Sequence, residues 1–163
     1  MKIKCDGFEF NFTDALNAFV FDEKHKTNPH YHGLSHAMKA VDIIVELEEY
    51  YLFVEVKDFH EPKIYNDNEH FNHLRESLKY KYRDSWFYRW CEDKTEKPIK
   101  YLCLLELEKG LLTRMTNELR KQIPISIAGS RWCKEISDGC AVLNLEIWNQ
   151  RFTAWPVTRL PKV

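Results

Sequence analysis

Two short stretches rich in β-branched and aromatic residues, Val41 to Leu47 and Tyr50 to Lys57, are separated only by the acidic pair Glu48 and Glu49. This spacing constrains the fold more than any other feature of the chain, because two such runs joined by so short a linker form an antiparallel hairpin. Centring the turn between the two glutamates puts Leu47 opposite Tyr50 and Glu46 opposite Tyr51, and the continued ladder sets Asp42 opposite Glu55. Alternate side chains of a strand share a face. Val41, Ile43, Val45 and Leu47 therefore lie on one side of the first strand, with Asp42, Ile44 and Glu46 on the other. In the second strand Leu52, Val54 and Val56 make the apolar face, and Phe53, Glu55 and Lys57 share the opposite one.

The flanking segments supply what such a hairpin needs on its faces and edges. Residues 2 to 12 partly alternate and read as a short strand or extended arm; a helix is expected from about Asp14 to Lys24, after Thr13 and with Leu16, Phe19 and Val20 at helical spacing. A polar, histidine-rich loop spans Thr27 to Ser35. Beyond the hairpin come a long helix over about Glu69 to Trp90, a buried strand over Ile99 to Leu107, an amphipathic helix after Gly110 that ends before Pro124, and a last strand over Ala141 to Trp148. At 163 residues this order makes one domain, residues 1–163, of α/β class with a central mixed sheet flanked by helices.

The hairpin brings two carboxylates and a lysine to one face. Opposed residues have Cβ atoms about 4.5–5.5 Å apart, a separation at which two carboxylates share one cation and without one repel each other. Mg²⁺ prefers oxygen ligands and keeps several waters, so Asp42 and Glu55 with a substrate phosphate make a suitable site. Lys57, two residues past Glu55, reaches the same place, where it stabilises charge on the phosphate or orients the attacking water. The chemistry that this arrangement suits is phosphodiester hydrolysis.

The segments V-D-I-I-V (Val41 to Val45) and F-V-E-V-K (Phe53 to Lys57) resemble the PD-(D/E)XK nuclease superfamily, the restriction-endonuclease-like fold. The resemblance covers roughly residues 14 to 107 and implies an α-β-β-β-α-β core. It maps the family's aspartate onto Asp42 and its acidic residue and lysine onto Glu55 and Lys57, and it makes the carbonyl of Val56 a further ligand for Mg²⁺ or Mn²⁺. Val41 stands where many members have proline. Many relatives also place an acidic residue on the first helix, and Glu23 is the first choice here, with Asp22 and Asp14 as alternatives and simple solvation of the helix end as the competing reading.

Between Arg75 and Trp90 basic and aromatic residues interleave, a pattern suited to phosphates and unpaired bases or, equally, to a helix with one packed and one solvated face. Lys79, Arg83 and Arg89 are the candidate nucleic-acid contacts; Lys79 and Lys81 point about 200° apart on a helix and cannot serve one groove. Arg151 and Arg159 accompany tryptophans that suit structural packing at least as well as a nucleic-acid backbone. His30, His32 and His36 cluster before the hairpin and are read first as a surface loop and otherwise as a transition-metal site, with a middle option that His36, six residues before Asp42, lies near the active site and helps contact phosphate.

Formal charge is −1, so no global field would hold the chain on a polyanion and any nucleic-acid contact must be local. Five scattered cysteines without a C-x-x-C pair fit a reducing cytoplasm, and the longest apolar runs are too short to span a bilayer. The expectation is a divalent-metal-dependent nuclease acting on nucleic acid, DNA before RNA, with a homodimer plausible for cutting both strands. The alternative is a non-catalytic nucleic-acid-binding or assembly module on the same fold.

Overall fold

The computed structural model describes residues 1–161. Along the chain lie β1 (Lys2–Cys5), β2 (Phe8–Asn11), β3 (Asn17–Val20), β4 (Ile43–Glu46), β5 (Tyr51–Lys57), a 3₁₀ turn (Pro62–Asn66), α1 (Asn68–Cys91), β6 (Ile99–Leu105), α2 (Lys109–Gln122), β7 (Gly139–Leu143), α3 (Leu145–Arg151) and β8 (Val157–Arg159). The β4–β5 hairpin has the register expected from its two-residue linker: Glu46 faces Tyr51 and Ile43 faces Val54, and the Leu47 N–H donates to the Tyr50 carbonyl at 3.0 Å.

That hairpin is the middle of a five-stranded mixed sheet in the order β3-β4-β5-β6-β7. β3, β4 and β5 run antiparallel, whereas β5, β6 and β7 run parallel, with α1 and α2 as the crossovers that parallel neighbours require. β5 is buried on both faces from Tyr51 to Val56, and only Lys57 at its end reaches the surface. One face packs Ile44, Phe53, Tyr101 and Cys103 against Phe71, Leu78 and Tyr82 of α1 and Met115 and Leu119 of α2. The other packs Ile43, Val45, Val54 and Leu104 against Phe8 and Phe10 of β2, Trp148 of α3 and Val157 of β8. β1, β2 and β8 form a second, antiparallel sheet. Its β1–β2 turn places Asp6 (φ 44) and Gly7 (φ 81) in the left-handed region that a two-residue hairpin turn demands.

Two segments depart from the sequence expectation. The helix expected over Asp14 to Lys24 is instead the edge strand β3, whose residues pair one for one with β4 from Asn17↔Glu46 to Val20↔Ile43. Leu16, Phe19 and Val20 fit a helical period, but Leu16 lies exposed, and Thr13, in place of capping a helix, donates its hydroxyl to the Ala154 carbonyl at 2.8 Å. The deciding term is β4: a helix here would leave its outer edge of buried N–H and C=O groups unpaired. The strand expected to run to Trp148 stops at Leu143, because the Asn144 side chain accepts from the Ile147 N–H at 3.0 Å and starts α3.

α1 extends for 24 residues because the Asp67 carboxylate caps its start and a buried stripe of Phe71, Leu74, Leu78, Tyr82, Ser85 and Arg89 runs along it at three- and four-residue intervals. Its end is turned by Asp93, at φ 59, with the Lys94 N–H reaching back to the Arg89 carbonyl at 2.8 Å. A side chain costs energy in that conformation and glycine does not. Asp93→Gly is therefore expected to raise unfolding free energy by roughly 0.5–1 kcal/mol, measured by chemical denaturation; a loss of stability would contradict this account of the helix end.

Candidate active site

The hairpin ladder stops being regular at Asp42. In the register of β4 and β5, Val41 and Val56 form the next pair expected to exchange backbone hydrogen bonds. Neither bond is made: the Val56 N–H donates to Asp42 Oδ2 at 2.8 Å, and the Val41 N–H donates to Ser85 Oγ of α1 at 2.9 Å. Asp42 also donates its own N–H to the Val54 carbonyl at 3.0 Å, so Asp42 and Ile43 both address Val54, the pattern of a β-bulge. The expected face-to-face pairing of Asp42 with Glu55 is thus loosened by the bulge. The strands part here, and the Val56 carbonyl is left without the Val41 N–H that a continued ladder would give it.

Glu55, Lys57 and Asp42 gather at this notch. Glu55 is fully buried on the α1 face of β5, beside Tyr51 and Phe53 in the alternation of that strand. Its Oε1 accepts from Lys81 Nζ at 2.6 Å and lies 3.5 Å from Lys57 Nζ, while its Oε2 is buried with no hydrogen-bond partner. Lys81 Nζ also lies 3.6 Å from Asp42 Oδ1, so one ammonium bridges both carboxylates. The Lys81 and Asp42 side chains are 15% and 14% exposed, whereas Lys57 is 41% exposed at the mouth of the notch.

Burial pushes the Glu55 carboxyl up, and the negative charge of Asp42 adds to this; Lys81 and Lys57 pull in the opposite direction, and the result is a pKa of about 8. For Lys81, desolvation favours the neutral amine, but the attraction of Glu55 and Asp42 outweighs it and holds the ammonium in its charged form. The nearby Cys5 thiol is pushed up by burial first and then by Asp42, Asp6 and Glu55, which makes it a neutral wall of the site.

The other residues singled out from the sequence lie elsewhere. Glu23 is not on a helix: its carboxylate closes a loop by accepting from the His25 N–H and the Asn28 side-chain amide, both at 2.8 Å. Asp22, its neighbour, is the acidic residue of that segment whose charge acts on Lys81. Arg89 is buried at 6% exposure, paired with Glu92 at 2.6 Å and packed over the Phe19 and Tyr51 rings, so it is a core residue and no contact for phosphate. Lys79 points toward α2, bonding Glu76 and Gln122. Even so, the ammonium groups of Lys79 and Lys39 and the guanidinium of Arg83 all lie within 5.9 Å of the Tyr80 ring centre and make a basic cluster one residue along from Lys81. Trp148 and Trp155 are buried, and Arg159 is held by Asp58 and Glu106. Among the described residues no group of three or more His, Cys, Asp or Glu converges to hold a metal, and His30 stacks on Phe19 instead of meeting His32 and His36.

Lys81 and Ser85 were the residues the sequence reading missed. The signal was present: Lys81 lies three residues after Leu78 and four before Ser85, on the stripe that faces the sheet. Comparison of the chain with protein-family models, characterised proteins and solved structures gives no match.

Two outcomes follow from this geometry. Ser85→Ala leaves the buried Val41 N–H unpaired and is expected to cost roughly 1–2 kcal/mol of stability, read from denaturation midpoints. Glu55 carries a raised pKa in the folded chain, so between 4.5 and about 8 the native state holds a proton that the unfolded chain has released. Its contribution to stability is complete below pH 4.5 and is lost as pH rises through about 8. Lys81, whose shift is upward from 10.5, adds no slope in that window. The melting temperature of the parent relative to Glu55→Gln should fall by at least about 3 °C between pH 5 and pH 8; parallel profiles would refute the assignment.

Proposed function

We propose that this chain is a divalent-metal-dependent nuclease of the PD-(D/E)XK type that hydrolyses phosphodiester bonds in nucleic acid, with DNA the favoured substrate. The observation that carries the proposal is the convergence of Asp42, Glu55 and Lys57 at a break in the hairpin, with Glu55 Oε2 buried and unpartnered. A buried carboxylate oxygen without a donor is an unmet demand for a cation or a proton. The donor set around it is all oxygen: the Glu55 and Asp42 carboxylates and the Val56 carbonyl released from the ladder. This fits Mg²⁺ or Mn²⁺, which take carboxylate, carbonyl and water ligands. The order β3-β4-β5-α1-β6, three antiparallel strands and then a helical crossover to a parallel fourth, supports the reading through the β-β-β-α-β part of that core; the core's first helix has no counterpart before β3 among the described residues.

When bound there, Mg²⁺ or Mn²⁺ supplies a Lewis acid that makes water a better nucleophile and offsets charge on the reacting phosphate. Asp42 and Glu55 hold it. Lys57, exposed at the mouth, would contact the scissile phosphate or the attacking water, and Lys39 and Arg83 beside Tyr80 are the candidates for flanking backbone. A second reading, a non-catalytic nucleic-acid-binding module, is favoured by one observation: the Lys81 ammonium already bridges both carboxylates without a metal.

The two readings separate on purified protein incubated with plasmid, single-stranded DNA and RNA, with and without Mn²⁺. Metal-dependent cleavage is expected, reduced at least about a hundredfold in Asp42→Ala and in Lys57→Ala, with both variants still melting cooperatively. Cleavage at the parent rate in both variants sinks the proposal. The absence of both cleavage and any Mn²⁺-induced thermal shift in the parent decides for the binding module.

A further inference from the structure

Lys81 holds the same two carboxylates that a divalent ion would take, through Glu55 Oε1, and leaves Glu55 Oε2 open. Its Nζ is 2.6 Å from Glu55 Oε1 and 3.6 Å from Asp42 Oδ1, so it uses the two carboxylates that the nuclease reading assigns to the metal. An ammonium on Oε1 and a divalent cation on Oε2 of one carboxylate would be close like charges in a part-buried site, so each weakens the binding of the other. Without a cation or a proton, the buried Glu55 carboxylate beside Asp42 would be strongly destabilising. The metal-free chain therefore favours Lys81 where it is, and a bound divalent ion disfavours it there.

We propose that Lys81 is a resident counter-ion which a divalent ion displaces from Asp42 and Glu55, and that the freed ammonium then serves as a second phosphate-binding lysine beside Lys57. The inference rests on the nuclease reading for the identity of the cation. Three features of the chain allow the exchange. Lysine is a point charge on a flexible four-carbon stem, able to swing without disturbing its helix. Lys81 retains 15% side-chain exposure, so a path outward exists. Asp22 on the neighbouring segment attracts it once the two carboxylates are neutralised. Lys57 does not share this role, since it approaches only Glu55, at 3.5 Å, from the exposed end of β5.

The test has an unusual sign: deleting a positively charged residue should strengthen cation binding. Titration of MnCl₂ into the full chain, followed by calorimetry and by thermal shift, is expected to give binding at least about tenfold tighter in Lys81→Met than in the parent, a change well within reach of a competing charge at these distances. Lys81→Gln, which keeps a hydrogen-bond donor for Glu55, guards against a variant that fails to fold and should show the same direction. Adding Glu55→Gln to either variant should abolish the gain and so locate it at this site. In the unmodified chain, Mn²⁺ should increase acylation of Lys81 by an amine-reactive reagent, read by peptide mass spectrometry.

Unchanged or weaker Mn²⁺ binding in the Lys81 variants, or protection of Lys81 by Mn²⁺, overturns the proposal. Cleavage by the parent is scored separately. If the parent cuts DNA with Mn²⁺ while the Lys81 variants bind no tighter, the displacement idea falls and the nuclease reading stands; if the variants bind tighter while no chain cuts, the nuclease reading falls and the competition stands.

Discussion

A carboxylate placed in the middle of a fully buried layer is the constraint on which this structure turns. Glu55 lies in β5, the strand covered on both faces, and water cannot solvate it there. A charge in that position requires a cation from within the protein or a proton. The side that Glu55 faces is covered by α1, so the answering charge comes from that helix. Lys81 can reach Glu55 only if α1 is rotated to put Leu78, Tyr82 and Ser85 against the sheet. The apolar stripe and the ion pair thus specify one helix orientation, and each would be defeated by a rotation that served the other poorly.

The same orientation explains the break in the hairpin. With Ser85 against the start of β4, its hydroxyl takes the Val41 N–H, and Asp42 turns its carboxylate to the Val56 N–H. Both lost ladder bonds are replaced by side-chain bonds, so no buried backbone donor is orphaned. What changes is the acceptor side: the Val56 carbonyl loses the Val41 N–H. Glu55 Oε2 beside it in the chain is buried without a donor, which is unfavourable for stability alone.

The sequence made the hairpin legible because its information is local. Two glutamates between two β-favouring runs set the register, and the register brought Asp42, Glu55 and Lys57 together. The long helix, the parallel strand after it and the second helix were legible from their stripes and terminators in the same way. What escaped depended on partners distant in the chain. Leu16, Phe19 and Val20 suit a helix or a strand, and the choice was made by the open edge of β4, some 25 residues later in the sequence. Arg89 reads as a surface base until Glu92, Phe19 and Tyr51 are seen around it. Lys81 lay in plain view on a buried stripe, but a lone lysine among apolar positions says only that it has a partner, not which one.

Net charge near zero makes the placement of the cations decisive for any polyanion. Asp42 and Glu55 would repel a phosphodiester unless positive charge stood closer to it than they do. Lys57 occupies the mouth, and Lys39, Lys79 and Arg83 surround Tyr80, with Lys79 paired to Glu76 and Arg83 to Asp84, while Arg159, Lys97 and Arg75 are engaged by carboxylates elsewhere. Any attraction these cations exert decays within about a Debye length, roughly 8 Å at physiological salt. With Lys57 the exposed cation at the two carboxylates, any attraction of a polyanion there would be short-ranged and would weaken as salt rises.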